Sequence, residues 1–440
     1  MRFAKSWRPV SPLVATLACI LALGACSAGS LGSSDEGGGI TLTFLVGNAD
    51  GDVKPAQGLA EAFHAKNPDI TVQVQQRPGG SEGDNIVKTR LSTGEMTDVF
   101  LYNSGSLFQA LNPEQNLVPL TGESWTNQVE DAFKPVVSVG NELYGAPIES
   151  SFGGGVLYNK KVYEKLGLQV PTTWAEFMAN NAKIKAAGID PVLQSYQDTW
   201  TSQLLVLADY HNVAAADPGW AEKYTNGQVK YAQKPAVKGF QRLEEVHKAG
   251  YENKDYRSMR FEKGVADLAA GKGGHFPMLT VVVGTLAASD PEHINDVGFF
   301  GQPGDDASKA GMTIWMPPGL YIPKSTEGAK LDAAKKFVAF VASQEGCEAQ
   351  TKAYPPSGPY MIKGCELPAD VPASVKDVVA YVEKGNITPA LEFQSPVKGP
   401  ALEQITVEVG SGLRSAADGA ALYDQDVKKQ AQQLGLKGWS

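Results

Sequence analysis

Three patterns in the sequence could serve enzymatic chemistry, but each lacks the neighbours that its chemistry needs. Residues 79–83 read Gly-Gly-Ser-Glu-Gly and fit the nucleophile elbow of a hydrolase, yet Pro78 and the polar neighbours favour a loop over a sharp turn. The five histidines include no i, i+4 pair and no cysteine companion, and Gly271-Lys272 lacks the flanking residues of a phosphate-binding loop. We therefore expect no catalytic residue, no metal ion and no cofactor.

Paired carboxylates are a further catalytic arrangement that the composition permits. The chain has 48 Asp and Glu residues, and a glycosidase needs two of them on either side of a glycosidic bond. Because a sequence does not show which carboxylates face each other, a secreted glycosidase stays open as the enzymatic alternative to a binding protein.

Length, composition and charge describe a globular protein with room for two domains. The chain has 440 residues, of which 42% are hydrophobic and 20% are charged, values that exclude fibrous and wholly disordered chains. Its formal net charge is −9. Proteins that bind nucleic acids recognise the phosphate backbone with clustered Lys and Arg side chains, which an acidic chain does not favour. We expect no nucleic-acid partner.

The first 26 residues have the pattern of an export signal. A cationic start precedes the apolar run Leu13–Leu23, which is about half the length that spans a bilayer, so residues 1–25 are predicted to be a cleaved signal peptide. The ending Leu23-Gly24-Ala25-Cys26 resembles the lipobox of bacterial lipoproteins. This implies a lipid on Cys26 and an extracytoplasmic protein anchored to the outer face of the cytoplasmic membrane. An ordinary signal peptide with an incidental Cys26 is the alternative.

Two other segments fit an exported chain. Residues 26–39 are rich in Gly and Ser and show no apolar periodicity, so they are predicted to form a flexible tether. Cys347 and Cys365 are 18 residues apart, and in an oxidising compartment we expect them to form a disulfide that stabilises the fold by on the order of 3 kcal/mol. Two free buried thiols are the alternative.

Strand and helix patterns alternate from Ile40 onward. Ile40–Phe44, Ile70–Gln75 and Asp98–Tyr102 have the pattern of strands, and helical spacing between the first two ends at Asn67-Pro68. Strands separated by helices at this spacing predict a parallel α/β sheet that positions the side chains at its strand ends.

The same pattern continues in the rest of the chain. Thr173 and Glu176 have capping-box spacing and predict the start of a helix. The later predicted elements are a helix over Phe261–Ala270, strands over Val297–Phe300 and Leu320–Pro323, and helices over Leu331–Ser343 and Ala416–Leu434.

Seven short segments carry a family resemblance. They are residues 91–100 (LSTGEMTDVF), 144–147 (YGAP), 157–160 (LYNK), 171–177 (PTTWAEF), 261–266 (FEKGVA), 333–337 (AAKKF) and 343–346 (SQEG). In this order they are similar to the extracellular solute-binding lipoproteins of bacterial ABC importers, in the maltose-binding-protein-like family 1 that carries sugars and oligosaccharides.

The resemblance implies an α/β, two-lobe periplasmic-binding-protein-like fold with a hinge and an interlobe cleft. Residues 40–149 plus 301–343 would form lobe one, and residues 150–300 plus 344–440 would form lobe two. The implied function is to bind a sugar or oligosaccharide, without catalysis, and to deliver it to ABC transporter permease subunits, and we expect a monomer. A binding protein for a non-sugar solute, such as an amino acid, a metal or a siderophore, is the alternative.

Polar residues that follow strands are the candidate ligand contacts of lobe one. Sugar sites combine flat apolar surfaces with planar polar groups, and doubly wound sheets present such groups at the carboxyl ends of strands. The candidates are Asn48, Asp50, Asp52, Asn103 and Ser104, together with Glu149 and Ser150 at the first expected crossing between lobes. Turn formation is the alternative role for Asn48, Asp50 and Asp52.

Aromatic residues are prominent among the other candidates, which are Gln197, Asp198, Trp200, Phe276, Met278, Trp315, Tyr321 and Tyr360. The family commonly has a sugar-stacking aromatic residue where this chain has Met278, so either Phe276 takes over the stacking or that subsite is missing. A place in the core is the alternative for Trp200 and Trp315, and a surface position is the alternative for Tyr360.

Overall fold

A computed structural model describes residues 39–439. The predicted signal peptide, the lipidated Cys26 and the tether up to residue 38 lie outside the described residues. Within residues 39–439, no helix has the length and apolar character needed to cross a bilayer.

Thirteen strands occur in the described part of the chain. They are β1 (Ile40–Gly47), β2 (Ile70–Arg77), β3 (Val99–Tyr102), β4 (Ser138–Val139), β5 (Glu142–Leu143), β6 (Gly145–Pro147), β7 (Phe152–Asn159), β8 (Asp190–Val192), β9 (Gly273–Leu279), β10 (Val297–Gly301), β11 (Met312–Trp315), β12 (Gly319–Tyr321) and β13 (Ile387–Pro389).

Seventeen α-helices accompany these strands within residues 39–439. They are α1 (Asp50–Lys66), α2 (Gly80–Thr93), α3 (Ser106–Gln109), α4 (Pro113–Asn116), α5 (Lys160–Leu166), α6 (Trp174–Ala186), α7 (Leu204–Leu207), α8 (Tyr210–Ala216), α9 (Trp220–Thr225), α10 (Val237–Lys248), α11 (Phe261–Ala269), α12 (Val282–Ser289), α13 (Gly328–Val341), α14 (Gln344–Ala353), α15 (Ala373–Glu383), α16 (Leu402–Gly410) and α17 (Ala416–Gln433). Short 3₁₀ helices add Ser124–Gln128, Lys134–Val137, Thr199–Gln203, Pro291–Asp296, Ala307–Lys309 and Leu391–Phe393.

The first sheet has the strand order β2-β1-β3-β12-β6. Strand β1 pairs in parallel with β2 and β3, whereas β12 is antiparallel to β3 and β6. A buried apolar cluster packs around this sheet and includes Phe44, Phe63 and Phe337, whose rings meet edge to face. Strands β1, β2 and β3 therefore form the predicted parallel part of the sheet, and β12 and β6 from later in the sequence add antiparallel pairs.

The second sheet has the order β13-β11-β7-β9-β8, with β10 also paired to β7. Strand β7 pairs with two strands along the same edge: β11 pairs with its first half and β10 with its second half. Both partners and β9 are antiparallel to β7, so the expectation of a parallel sheet is wrong for this part of the chain. Strand β11 lies in this sheet although the sequence prediction groups residues 301–343 with lobe one.

Local sequence signals explain two of the element ends. Thr173 and Glu176 form the predicted capping box at the start of α6, and α1 ends at Lys66 with Asn67 as its C-cap. Two segments predicted as turn or loop are helical instead. Asp50 and Asp52 lie in the first turn of α1, and residues 80–83 lie in the first turn of α2, where acidic side chains are favoured by the helix dipole.

Candidate functional site

A cavity of about 630 Å³ lies where elements of the two sheets meet. Its lining comes from the segments after β1 and β2, from residues 197–200, from the start of α11 and from residues 350–360. A smaller cavity of about 290 Å³ shares Asp52, Glu149 and Trp200 with it and continues toward Asn103 and Trp315. Together they form one continuous polar and aromatic surface of the size that a small ligand needs.

Asp52 is positioned by the end of β1. A Cβ atom on Gly47 would lie 1.8 Å from Asp52 Oδ2, so the carboxylate occupies the space that the missing side chain leaves. Burial raises the pKa of Asp52 to about 6, and the positive charge of Arg77 offsets part of that effect. A carboxylate held in this way is a strong hydrogen-bond acceptor beside the cavity.

Glu149 follows β6 and lies beside Asp52. Its backbone has a φ of 70°, a conformation that costs energy for a residue with a side chain. Its N–H donates to Gln350 Oε1 at 2.6 Å, and its own Oε1 is buried with no hydrogen-bond partner. Burial, and secondly the charge of Asp52, raise the pKa of Glu149 well above its ordinary value. We call Asp52, Glu149 and Gln350 the acidic end of the cavity.

Trp200 and Phe261 form a facing surface, which we call the aromatic end. Both side chains are half-buried, and their ring centroids are 5.4 Å apart with an interplanar angle of 49°. Asp198 fixes this pair, because its Oδ2 accepts a hydrogen bond of 2.7 Å from the N–H of Phe261 at the start of α11. The aromatic end therefore contributes two half-buried rings to the cavity wall, an apolar surface of the kind that suits the C–H face of a sugar ring.

A third wall comes from residues 347–365, which we call the cysteine loop. The structure joins Cys347 and Cys365 by a disulfide with a Cα–Cα distance of 6.1 Å. The N–H of Ser357 donates to Ser150 Oγ at 2.9 Å, and the ring of Tyr354 lies against Gly51 and Gly284. Tyr354, Ser357 and Tyr360 thereby line the larger cavity.

Eleven of the fifteen residues predicted from the sequence line one or both cavities. They are Asn48, Asp52, Asn103, Ser104, Glu149, Ser150, Gln197, Asp198, Trp200, Trp315 and Tyr360. Ser104 and Trp315 have structural contacts in addition to those described above for Glu149, Ser150 and Asp198. Ser104 Oγ donates to the carbonyl of Pro317 at 2.8 Å, and Trp315 is 6% exposed with its Nε1 donating to Glu392.

The structure does not bring Asp50, Phe276, Met278 or Tyr321 to the cavities. Asp50 is exposed and pairs with Lys54 at 2.9 Å. Phe276 and Met278 are 0% exposed, because that face of β9 packs against the apolar residues of α11 and α12. Tyr321 is also 0% exposed, and its ring stacks on Phe108. Neither Phe276 nor Met278 therefore reaches the cavities, and the aromatic ring beside Trp200 is that of Phe261.

The lining also includes residues that are not among the sequence candidates, among them Arg260, Phe261, Gln350 and Glu403. Phe261 and Arg260 stand at the start of a predicted helix directly after a polar segment, which is a signal for the N-terminus of a helix at a ligand site. Gln350 lies inside α14, and nothing in its local sequence indicates that it faces a cavity.

The described lining does not have the groups of the hydrolase that residues 79–83 suggested. Ser81 lines the larger cavity from the first turn of α2, but the described lining includes no histidine. His275 is buried elsewhere, where its Nε2 is 2.6 Å from the hydroxyl of Tyr163, and burial lowers its pKa to about 3. Among residues 39–439, no group of three or more His, Cys, Asp or Glu residues has the arrangement of a metal site.

Comparison with known proteins gives a family and a set of relatives. A family model described as "Bacterial extracellular solute-binding protein" matches residues 49–346. The multiple sugar-binding protein of Streptococcus mutans is 23% identical over 373 residues, covering 82% of this chain and 84% of the relative. The sn-glycerol-3-phosphate-binding periplasmic protein UgpB of Shigella flexneri is 24% identical over 239 residues, covering 50% of this chain and 53% of the relative.

Solved structures with the same fold cover most of the chain. A structure titled "Chitin oligosaccharide binding protein" has a TM-score of 0.76 at 20% identity and covers 90% of this chain and 99% of its own. A structure titled "SBP RafE in complex with raffinose" has a TM-score of 0.72 at 19% identity, with the same coverage of 90% and 99%.

Proposed function

Because the chain belongs to the bacterial extracellular solute-binding protein family, we propose that it captures an extracellular sugar or oligosaccharide and delivers it to the permease of an ABC importer. The single observation that carries this proposal is the pairing of a half-buried indole at the aromatic end with polar side chains at the acidic end of one cavity of about 630 Å³. Sugar recognition needs both kinds of surface. Relatives and neighbours named for sugars give further support.

The fold class expected from the sequence, a two-lobe α/β binding-protein fold, is confirmed by these neighbours. We propose that the two lobes are built around the two sheets and close on the ligand by a hinge. Residues 148–153 and the connection between β11 and β12 join the two sheets, and the positive φ of Glu149 places unusual backbone at the first of them. Ligand should then reduce the radius of gyration in small-angle scattering, and an unchanged radius would contradict closure.

The membrane attachment expected from Leu23-Gly24-Ala25-Cys26 also remains a proposal. A monomer held at the outer face of the cytoplasmic membrane by lipid on Cys26 would present its ligand close to the permease. Replacing Cys26 by Ser should release the protein from the membrane fraction, because a lipid chain gains roughly 0.8 kcal/mol for each buried CH₂ group. Retention of the variant in that fraction would contradict the lipid anchor.

A melting-shift screen against monosaccharides and oligosaccharides tests the central proposal. A ligand at 100 times its Kd should stabilise the native state by about 2.7 kcal/mol, and the saccharide should be recovered intact. Cleavage of the saccharide would establish a glycosidase instead. A screen in which no saccharide shifts the transition, while a non-sugar solute does, would replace the sugar by that solute.

A further inference from the structure

The described lining of the larger cavity is acidic. Its six carboxylate residues are Asp52, Glu82, Glu149, Asp198, Glu262 and Glu403, and Arg260 is the cationic residue among the described lining. Two of the six are engaged in the fold, since Asp198 accepts from Phe261 N–H and Glu403 accepts from Thr199 Oγ1 at 2.8 Å. The remaining charge opposes an anionic ligand such as a phosphate ester or a uronate.

The excess of negative charge is concentrated at the acidic end. Asp52 and Glu149 are close enough that the charge of Asp52 acts on the pKa of Glu149. Arg77 is the cation beside Asp52, but it also faces Asp84, whose pKa is raised by burial, an effect only partly offset by the charge of Arg77. One guanidinium thus acts on more than one half-buried carboxylate, and Asp52 shares the charge of Arg77 with Asp84.

Two buried polar atoms at the acidic end have no hydrogen-bond partner. Glu149 Oε1 is an acceptor without a donor. Gln350 lines the cavity and is 3% exposed, and because its Oε1 is used by the N–H of Glu149, its Nε2 is a donor without an acceptor. Each such atom costs about 1–3 kcal/mol when left unpaired, so the complementary ligand has a cationic donor next to an acceptor.

Resting on the proposed function, we propose that the ligand is an amine-bearing saccharide whose ammonium group binds between Asp52 and Glu149. A neighbouring hydroxyl accepts from Gln350 Nε2, and the sugar ring stacks on Trp200. A 2-amino sugar places an ammonium group and a hydroxyl on adjacent carbons, which matches this arrangement of donor and acceptor. A linear polyamine would satisfy the carboxylates but would leave the Gln350 donor unpaired and the indole face without a ring.

Titration calorimetry with matched probes tests this inference. Glucosamine, N-acetylglucosamine and glucose differ only in the substituent at C2, and each is used as the monosaccharide and as its β-linked oligomer. At about pH 7 the oligomer with free amines should bind at least tenfold more tightly than both neutral counterparts, because it alone supplies a cation.

Variants locate the effect at the acidic end. Glu149→Gln should abolish the tenfold preference for the amine-bearing oligomer over its neutral counterparts, whereas Glu262→Gln removes a carboxylate elsewhere in the same lining and should retain that preference. Melting curves check that both variants are folded, and Asp52→Asn replaces Glu149→Gln if the latter does not fold.

The outcomes separate this inference from the proposed function. If neutral saccharides bind as tightly as their amine-bearing counterparts, the inference is overturned and sugar capture stands. If the amine preference persists in both Glu149→Gln and Asp52→Asn, the assigned position is overturned. If none of the probes binds, the inference is again overturned, and the broader saccharide screen then decides separately whether sugar capture fails as well.

Discussion

The aromatic end and the acidic end of the cavity differ in whether their polar groups already have hydrogen-bond partners. At the aromatic end the polar groups are already used by the fold, since Asp198 binds the start of α11 and Thr199 binds Glu403. At the acidic end, Glu149 Oε1 and Gln350 Nε2 are buried without partners. The aromatic end therefore offers apolar area that is ready before the ligand arrives, and the acidic end offers polar atoms whose pairing the ligand must complete.

This difference predicts that the two ends contribute different properties to binding. Apolar contact with an indole is insensitive to pH and tolerates many sugar rings. Buried unpaired atoms penalise a ligand that lacks the matching donor or acceptor, which is the basis of discrimination between similar molecules. We expect affinity to depend mainly on the aromatic end and specificity mainly on the acidic end.

The largest expected effect is at Trp200. Trp200→Ala should weaken binding of every saccharide ligand at least tenfold, a loss of about 1.4 kcal/mol or more, because the stacking surface disappears. Trp200→Phe keeps a ring on Phe261 and should lose much less. Calorimetry on both variants checks the prediction, and unchanged affinity in Trp200→Ala would remove this residue from the site.

A smaller effect is expected from closing the space that holds Asp52. In Gly47→Ala the new Cβ would lie 1.8 Å from Asp52 Oδ2 and push the carboxylate away, so affinity should fall by about three- to tenfold. Gly122→Ala is the matched control, because a Cβ there meets nothing within 4 Å. Equal affinities in the two variants would show that the position of Asp52 does not matter for binding.

The acidic end should also be visible in the pH dependence of stability without ligand. Burial raises the pKa of Asp52 in the folded protein to about 6. Above pH 6 the buried side chain is ionised, and this lowers the free energy of unfolding. The loss of stability disappears as the pH falls from 6 toward the ordinary pKa of an aspartate. Asp52→Asn should therefore be more stable than the wild type at pH 7, by up to about 3 kcal/mol, and this advantage should shrink by pH 5.

Comparing Asp52→Asn with the wild type separates the effect of Asp52 on stability from that of other titrating groups. Burial lowers the pKa of His275 to about 3. His275 therefore destabilises the fold as the pH falls below the ordinary pKa of a histidine side chain. This effect is the same in the wild type and in Asp52→Asn. Urea unfolding at several pH values provides the measurement. A difference in stability that does not change with pH would mean that Asp52 is not held as a buried carboxylate.

The smallest effect is expected at Asp50, which lies only two residues from Asp52. Asp50 is exposed and paired with Lys54, so Asp50→Asn should change the affinity by less than about twofold. A loss as large as that of Gly47→Ala would show that the general charge of the segment, rather than the placed carboxylate of Asp52, controls binding.

The sequence predicted those parts of the fold that depend on local patterns. Alternation identified β1 and β2, and the Thr173–Glu176 capping box identified the start of α6. The rule that ligands meet the carboxyl ends of strands led to Asn48 and Asp52, which line the cavity, and their contact with a ligand stays a prediction. Strand patterns and caps could be predicted because they are properties of a few consecutive residues.

The remaining site residues depend on tertiary packing. Six of the seven residues of β9 are buried, so alternation did not indicate which face Phe276 and Met278 occupy, and both lie in the core. Gln350 is within a helix, and only the approach of Glu149, 201 positions away in sequence, makes it part of the cavity. Such contacts between distant segments leave no local pattern.

The cysteine loop ties the completion of the cavity to the redox state of the compartment. Tyr354 and Tyr360 belong to the cavity wall and lie between the two bonded cysteines. In a reducing cytosol this wall would lack its covalent closure, so a newly synthesised chain would hold sugar less firmly before export than after it. Oxidation would then complete the covalent closure of this wall of the cavity.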